Sequence, residues 1–187
     1  METTLNQLTQ NTLIEQIHEN FIELKTLKAT RAYPTVKFID INPYAWYQDA
    51  AEVVYSYGIM NGTSEMLFSP HDELTPQMLA GIIYNLSGQV ELPQQSSEHY
   101  WYTDAVNLVE ILNLPTYSTI TRENLVTMLY DYLNLLGYQF EFNDAVEWAV
   151  ETGLLVGVSA TDLALTKPVT RIETAVVVQR FIELKLD

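Results

Sequence analysis

Cysteine is absent, which excludes disulfides and thiolate metal sites outright. Positive charge is scarce: nine Lys and Arg stand against 24 Asp and Glu, for a net charge of −15. Such a chain repels phosphate backbones and anionic lipid, which argues against nucleic acid and polybasic membrane docking as partner classes. No run approaches the roughly eighteen apolar residues that a membrane-spanning helix needs. The first ten residues, METTLNQLTQ, carry neither a basic region nor an apolar one, so no signal peptide is expected in this sequence. His18, His71 and His99 form no pair at helical spacing, and neither Asp40-x-Asn42 nor Glu141-x-x-Asp144 is the oxygen-dense loop of a calcium site. No metal and no cofactor is expected. Nothing in the sequence isolates two of the acids in an apolar setting, so no catalytic pair is expected either.

What is present is apolar residue in quantity, 48% of the chain with mean hydropathy near zero, enough for a packed core. Ile14, Ile17, Phe21 and Leu24 recur three and four apart, the stripe of an amphipathic helix over about Thr4–Lys28. That stripe packs on the body of the domain or on a second copy. Arg31 to Lys37, with Pro34, reads as a linker.

The stretch Trp46–Met78 then organises the rest. Asp49, Ala50, Glu52, Gly58, Gly62 and Thr75 reappear 95 residues later as Asp144, Ala145, Glu147, Gly153, Gly157 and Thr170. A third copy starts 55 residues after the first, where Trp101, Tyr102, Asp104 and Ala105 repeat Trp46, Tyr47, Asp49 and Ala50. Each copy reads as helix, stop, loop, helix. Gly58, Asn113 and Gly153 fall just past the first helix, where the left-handed conformation favours Gly and tolerates Asn. Thr75, Thr121 and Thr170 stand as N-caps of the second helix, with Pro76 at a first-turn position where its missing N–H costs nothing. Thr170 and Glu173 have capping-box spacing. The expected units are an N-terminal helix and linker (1–37) and three repeats (38–89, 90–137 and 138–187). Val90–Glu98 is read as a polar link between the first two.

In order, FID, WYQDA, GIMNG, FSP and LTPQM; then WYTDA and ITREN; then FND, GLLVG and VTRIE resemble the repeats of the S-layer homology (SLH) family. The motifs cover roughly Phe38–Leu184. The resemblance implies an all-α fold of three helix–loop–helix repeats in pseudo-threefold arrangement, with the first helices in a central bundle and grooves between repeats. It also implies a non-catalytic module that holds an exported protein to the cell surface by binding secondary cell-wall polysaccharide, often pyruvylated.

An acidic sugar needs a fixed cation, and guanidinium offers a planar fork to a carboxylate. Arg122 and Arg171 each follow a capping Thr, at helix starts that favour anions through free N–H groups. The alternative for both is an exposed first-turn residue paired with Glu123 or Glu173. Trp46, Trp101, Tyr102 and Trp148 are available to cover the apolar face of a sugar ring, while Trp46, Trp101 and Trp148 suit the core better. Gly62 and Gly157 allow a close approach of loop backbone. In the first repeat Pro76 replaces the motif arginine, and in the second the loop shrinks to Leu114–Ile120, so at most two grooves are expected to work. The competing function is a protein-interaction or S-layer assembly module, self-associating through the acidic surface and the Ile14–Leu24 stripe.

Overall fold

The computed structural model describes residues 2–28, 38–92, 100, 102–159 and 161–186. Seven helices occupy them: α1 (Glu2–Lys28), α2 (Gln48–Ser56), α3 (Pro76–Leu86), α4 (Thr103–Ile111), α5 (Arg122–Leu135), α6 (Ala145–Glu151) and α7 (Arg171–Glu183). Among the described residues there is no strand, only isolated bridges such as Glu73–Thr170 and Thr121–Pro168. The protein is all-α. The expected linker 31–37 lies outside the described residues. Most of the second expected linker does too, but Val90, at its start, is buried in the core and not part of a polar connection.

The helix starts follow the capping chemistry. Thr75 accepts from the Met78 amide, with Pro76 at the first turn. Thr121 and Asn124, and likewise Thr170 and Glu173, form reciprocal capping boxes. Asp144 caps α6 through the Val146 and Glu147 amides. The first helices stop where the left-handed residue stands, with φ of +68° at Gly58, +53° at Asn113 and +75° at Gly153. Asn113 thus does the work of glycine at that position.

Helices pair across the expected boundaries: α4 lies on α3, α6 on α5, and α2 on α7, at the opposite end of the chain. Each of the shorter helices α2, α4 and α6 therefore packs on one of the longer helices α7, α3 and α5. This replaces the expected bundle of first helices. The short first helices bury only one side, such as Ala50, Ala51, Val53 and Val54 on α2, whereas α5 and α7 each bury seven or more residues.

The N-terminal helix closes the bundle of longer helices. Ile17 and Phe21 are fully buried, with the Phe21 ring 5.7 Å from Tyr132 of α5 and 5.6 Å from Phe181 of α7. Ile14 and Leu24 pack against the same core. Asn20 donates to the Ser87 carbonyl just past α3, His18 meets the Tyr138 hydroxyl past α5, and the Lys25 ammonium donates to Leu184 past α7. One helix so ties together the ends of three others. Ile17 and Phe21 of the stripe are thus taken up inside the chain, with Ile14 and Leu24 partly buried against the same core. Substituting Phe21→Ala should lower unfolding free energy by about 3–5 kcal/mol, the cost of a cavity left by a buried aromatic ring, as measured by urea denaturation.

Candidate functional site

The loop after α2 is held in shape by its own residues. The Asp40 carboxylate accepts from the Phe68 and Ser69 amides at 2.9 and 2.7 Å, which fixes the Phe-Ser-Pro segment. Gly62 passes so close to the returning strand of loop that a Cβ there would lie 2.5 Å from the Ser64 carbonyl oxygen and 2.6 Å from that of Leu67. At Gly157, 95 residues on, a Cβ would lie 2.5 Å from the Ser159 oxygen and 2.8 Å from the Asp162 oxygen. Both glycines serve the closure of their own loops.

These loops then present carbonyl oxygens to the start of a second helix from another unit. The Arg171 amide donates to Asp72 and the Ile172 amide to Pro70, at 2.8 and 3.0 Å. The Arg171 guanidinium completes the set, Nε to Phe68 O at 2.8 Å and Nη2 to Asn61 O at 2.7 Å, with its carbon 4.9 Å above the centre of the Phe68 ring. Arg122 repeats this pattern on residues 95 positions later. Its amide donates to Lys167 and the Glu123 amide to Leu165, both at 3.1 Å, while Nε reaches Leu163 O at 2.9 Å and Nη2 reaches Val156 O at 2.7 Å. Two residues of a helix start thereby satisfy four carbonyls of one loop, and the loop satisfies amides that a helix start would leave bare. Between them runs a further chain of bonds, Leu74 N to Val169 O and Val169 N to Ile120 O, each from the residue before a capping Thr.

Two expectations change here. The arginines are neither exposed nor paired with the adjacent acid: Arg122 is 8% and Arg171 4% exposed, and backbone oxygens are their main partners. The ion pair that exists joins Arg122 to Glu173 of the other helix at 3.9 Å, with Lys167 on the same carboxylate at 3.0 Å. The helix starts are also not free anion sites, because loop carbonyls already take their first amides.

What remains for chemistry is the outer edge of the Arg171 guanidinium. It lines a groove of about 410 Å³ together with Asn61, Gly62, Thr63, Met78, Gly81 and Asn85. Among the described residues Nη1 there has only the weak acceptor Met78 Sδ, at 3.5 Å. Burial lowers the Arg171 pKa, and the charges of Asp72 and Asp40 oppose the shift. Asn61, Thr63 and Asn85 did not stand out in the sequence. Trp46 is 74% exposed and stands edge-on to Tyr47, whereas Trp148 is fully buried against Tyr130 and Phe140. Tyr102 is half-buried and stacks on Tyr100 with centroids 5.6 Å apart. Trp101 lies outside the described residues. Arg122 and Gly157 share one junction, and Arg171 and Gly62 the other.

Residues 37–75 match the family model of the S-layer homology domain. That is the family which the motifs resemble. Its domains are non-catalytic binding modules that generally mediate anchoring at the cell wall. No curated protein matches the chain. Among the described residues no helix is long and apolar enough to cross a membrane.

Replacing Arg171 by Met should cost roughly 2–3 kcal/mol in denaturant unfolding, because two loop carbonyls lose a charged donor inside the fold. Lys at 171, which cannot fork, should recover less than half of that. Burial acts to raise the Glu173 carboxyl, but the Thr170 amide, Lys167 and the Thr170 hydroxyl outweigh it and hold it below its ordinary 4.5. A lowered folded pKa gives stability that is full above the unfolded value and lost as pH falls through the folded one. Unfolding midpoints followed below pH 5 should therefore drop more steeply in the wild type than in Glu173→Gln.

Proposed function

We propose that the chain is a non-catalytic anchoring module that binds secondary cell-wall polysaccharide, with the Arg171 groove as its main contact. The supporting observation is the guanidinium held at the groove wall with Nη1 turned to a sulfur and, among the described residues, to no oxygen. A carboxylate or ketal oxygen of an acidic, pyruvylated sugar is the partner such an edge accepts at little cost in ordering. The net charge does not forbid this, since screening over about 8–10 Å leaves local geometry in command. Asn61, Thr63 and Asn85 add hydrogen-bonding capacity, Gly62 keeps the loop backbone close, and Trp46, exposed in the same segment, is available as a ring platform.

In this reading the three segments are copies of one unit closed into a ring, and each arginine locks the loop of another copy. Arg122 and Gly157, at the corresponding loop 95 residues on, are proposed as a second contact, with Trp101 and Tyr102 as further candidates for a ring face. Export to the cell surface follows from the same reading.

The test needs a variant that fills the groove without loosening the fold. Gly81→Leu, in the middle of α3, should stabilise the helix by about 0.5–1 kcal/mol while obstructing the groove. Co-sedimentation with purified wall sacculi should fall at least tenfold for this variant, and for the wild type after the secondary polymer is extracted. Wild-type protein that ignores sacculi, or a Gly81→Leu variant that binds as before, would overturn the proposal.

A second reading, assembly with other copies, draws on Ile39, Tyr44, Met66 and Leu67, all exposed within the 38–89 segment. If it holds, light scattering should show mass rising with concentration, and Ile39→Glu with Leu67→Glu should abolish the rise. A mass independent of concentration rejects it.

A further inference from the structure

The Arg171 groove does not end at Asn85. That residue also lines a second groove of about 330 Å³, with Asn20, Glu23 and Leu24 of α1, Tyr57 at the end of α2 and Gln89 past α3. Ile59 borders the first groove and its chain neighbour Gly58 the second. From Met78 to Leu86 the two follow α3 over about 12 Å, at 1.5 Å per residue. Each falls at the lower end of the roughly 300–1,000 Å³ range of small-molecule clefts. One trough thus offers room for two neighbouring groups, one on each side of the Asn85 amide.

The second half is built from amides and walled by α1, a helix outside the repeated motifs. Asn20 Nδ2 donates to the Ser87 carbonyl at 2.9 Å. This seat exists because residue 88 is glycine: at its φ of +74° a Cβ would lie 2.6 Å from Asn20 Nδ2. Asn85 Nδ2 donates to Ile59 O and its Oδ1 accepts from Gln89 Nε2, both at 3.0 Å. A side-chain amide has two N–H groups and an oxygen with two lone pairs, so these bonds leave Asn20 and Asn85 capacity for both a donor and an acceptor on a ligand. Leu24 and Leu86 add apolar surface. Glu23 is the one charged side chain among the described residues of this lining. Lys25, next but one on α1, reaches the Leu184 carbonyl instead. A second carboxylate would meet a like charge there and no cation, whereas hydroxyl groups would meet amides.

We propose that this second half is a subsite for an uncharged sugar linked to the acidic one at Arg171, and that α1 thereby takes part in recognition. The inference rests on the Arg171 groove binding the acidic sugar. Hydroxyls of the neighbouring ring exchange hydrogen bonds with Asn20, Asn85 and Gln89, and its apolar side lies against Leu24. Two added hydrogen bonds are worth about tenfold in affinity.

The probes are a single pyruvylated sugar and two- and three-sugar fragments that carry it, released from the extracted wall polymer and sized by chromatography. They are titrated into the full chain and followed by amide chemical shifts. The single sugar should move Asn61, Thr63 and Gly81. The longer fragments should move Asn20, Gly58 and Gln89 as well, and bind about tenfold more tightly. Two variants address the second half alone. Gln89→Gly removes a side chain at a residue with φ of +53°, where glycine carries no strain. Glu23→Trp fills the far end from an exposed position of α1. Each should weaken the longer fragments toward the affinity of the single sugar and leave binding of that sugar unchanged. Longer fragments that bind no tighter than the single sugar, or that leave Asn20 and Gln89 unmoved, overturn the proposal while the Arg171 reading stands. Wild-type affinity for the longer fragments in both variants overturns it too. If no probe moves Asn61, Thr63 or Gly81, the Arg171 reading fails, and this extension fails with it.

Discussion

A buried arginine at the start of one helix, donating to carbonyl oxygens of a loop from another unit, is the interaction on which the arrangement depends. Long loops carry many backbone oxygens that must find donors if they are to pack against other elements. Here Arg171 and Ile172 supply four donors to the loop 61–72, and Arg122 with Glu123 supply four to the loop 156–167. The benefit is mutual, because the same oxygens satisfy the amides at the head of α7 and α5. Loop shape, helix start and inter-unit contact are thus one structure and not three.

That coupling explains why the third junction differs. Pro76 has neither an amide hydrogen nor a cation, and the loop it would serve is cut to Leu114–Ile120. A donor and its acceptors are missing together, and apolar side chains line the space, among them Leu79, Val106, Val109 and Met128. Loss of only one partner would have left buried polar groups unpaired, which costs more than losing both. The N-terminal helix gives the assembly a further closure. Phe21 between Tyr132 and Phe181, and side-chain bonds to residues past α3, α5 and α7, hold the helix ends that the arginine locks do not reach.

Much of the local structure was legible residue by residue. Thr75, Thr121 and Thr170 cap where their spacing from the apolar runs places them, and Asn113 takes the left-handed turn that Gly58 predicts for it. The fate of Arg122 and Arg171 was not legible. A first-turn position normally faces solvent, and the acceptors that draw these side chains inward are main-chain oxygens, which leave no mark on the amino-acid types of the loop. Trp46 and Trp148 show the same limit. Both belong to first-helix segments with similar motifs, yet one is exposed and the other is wholly buried, because Tyr130 of α5 and Phe140 enclose only the second.

By itself, then, the order of residues determined the helical class, the helix ends, and the recurrence of one motif at fixed offsets, since these rest on contacts within a few residues. Only the tertiary structure decided which helices pair, which face of α1 is covered, and whether each guanidinium points to solvent, to a loop or to a groove. Those outcomes depend on partners up to 159 residues away, as between Lys25 and Leu184, and on backbone groups that every residue carries alike.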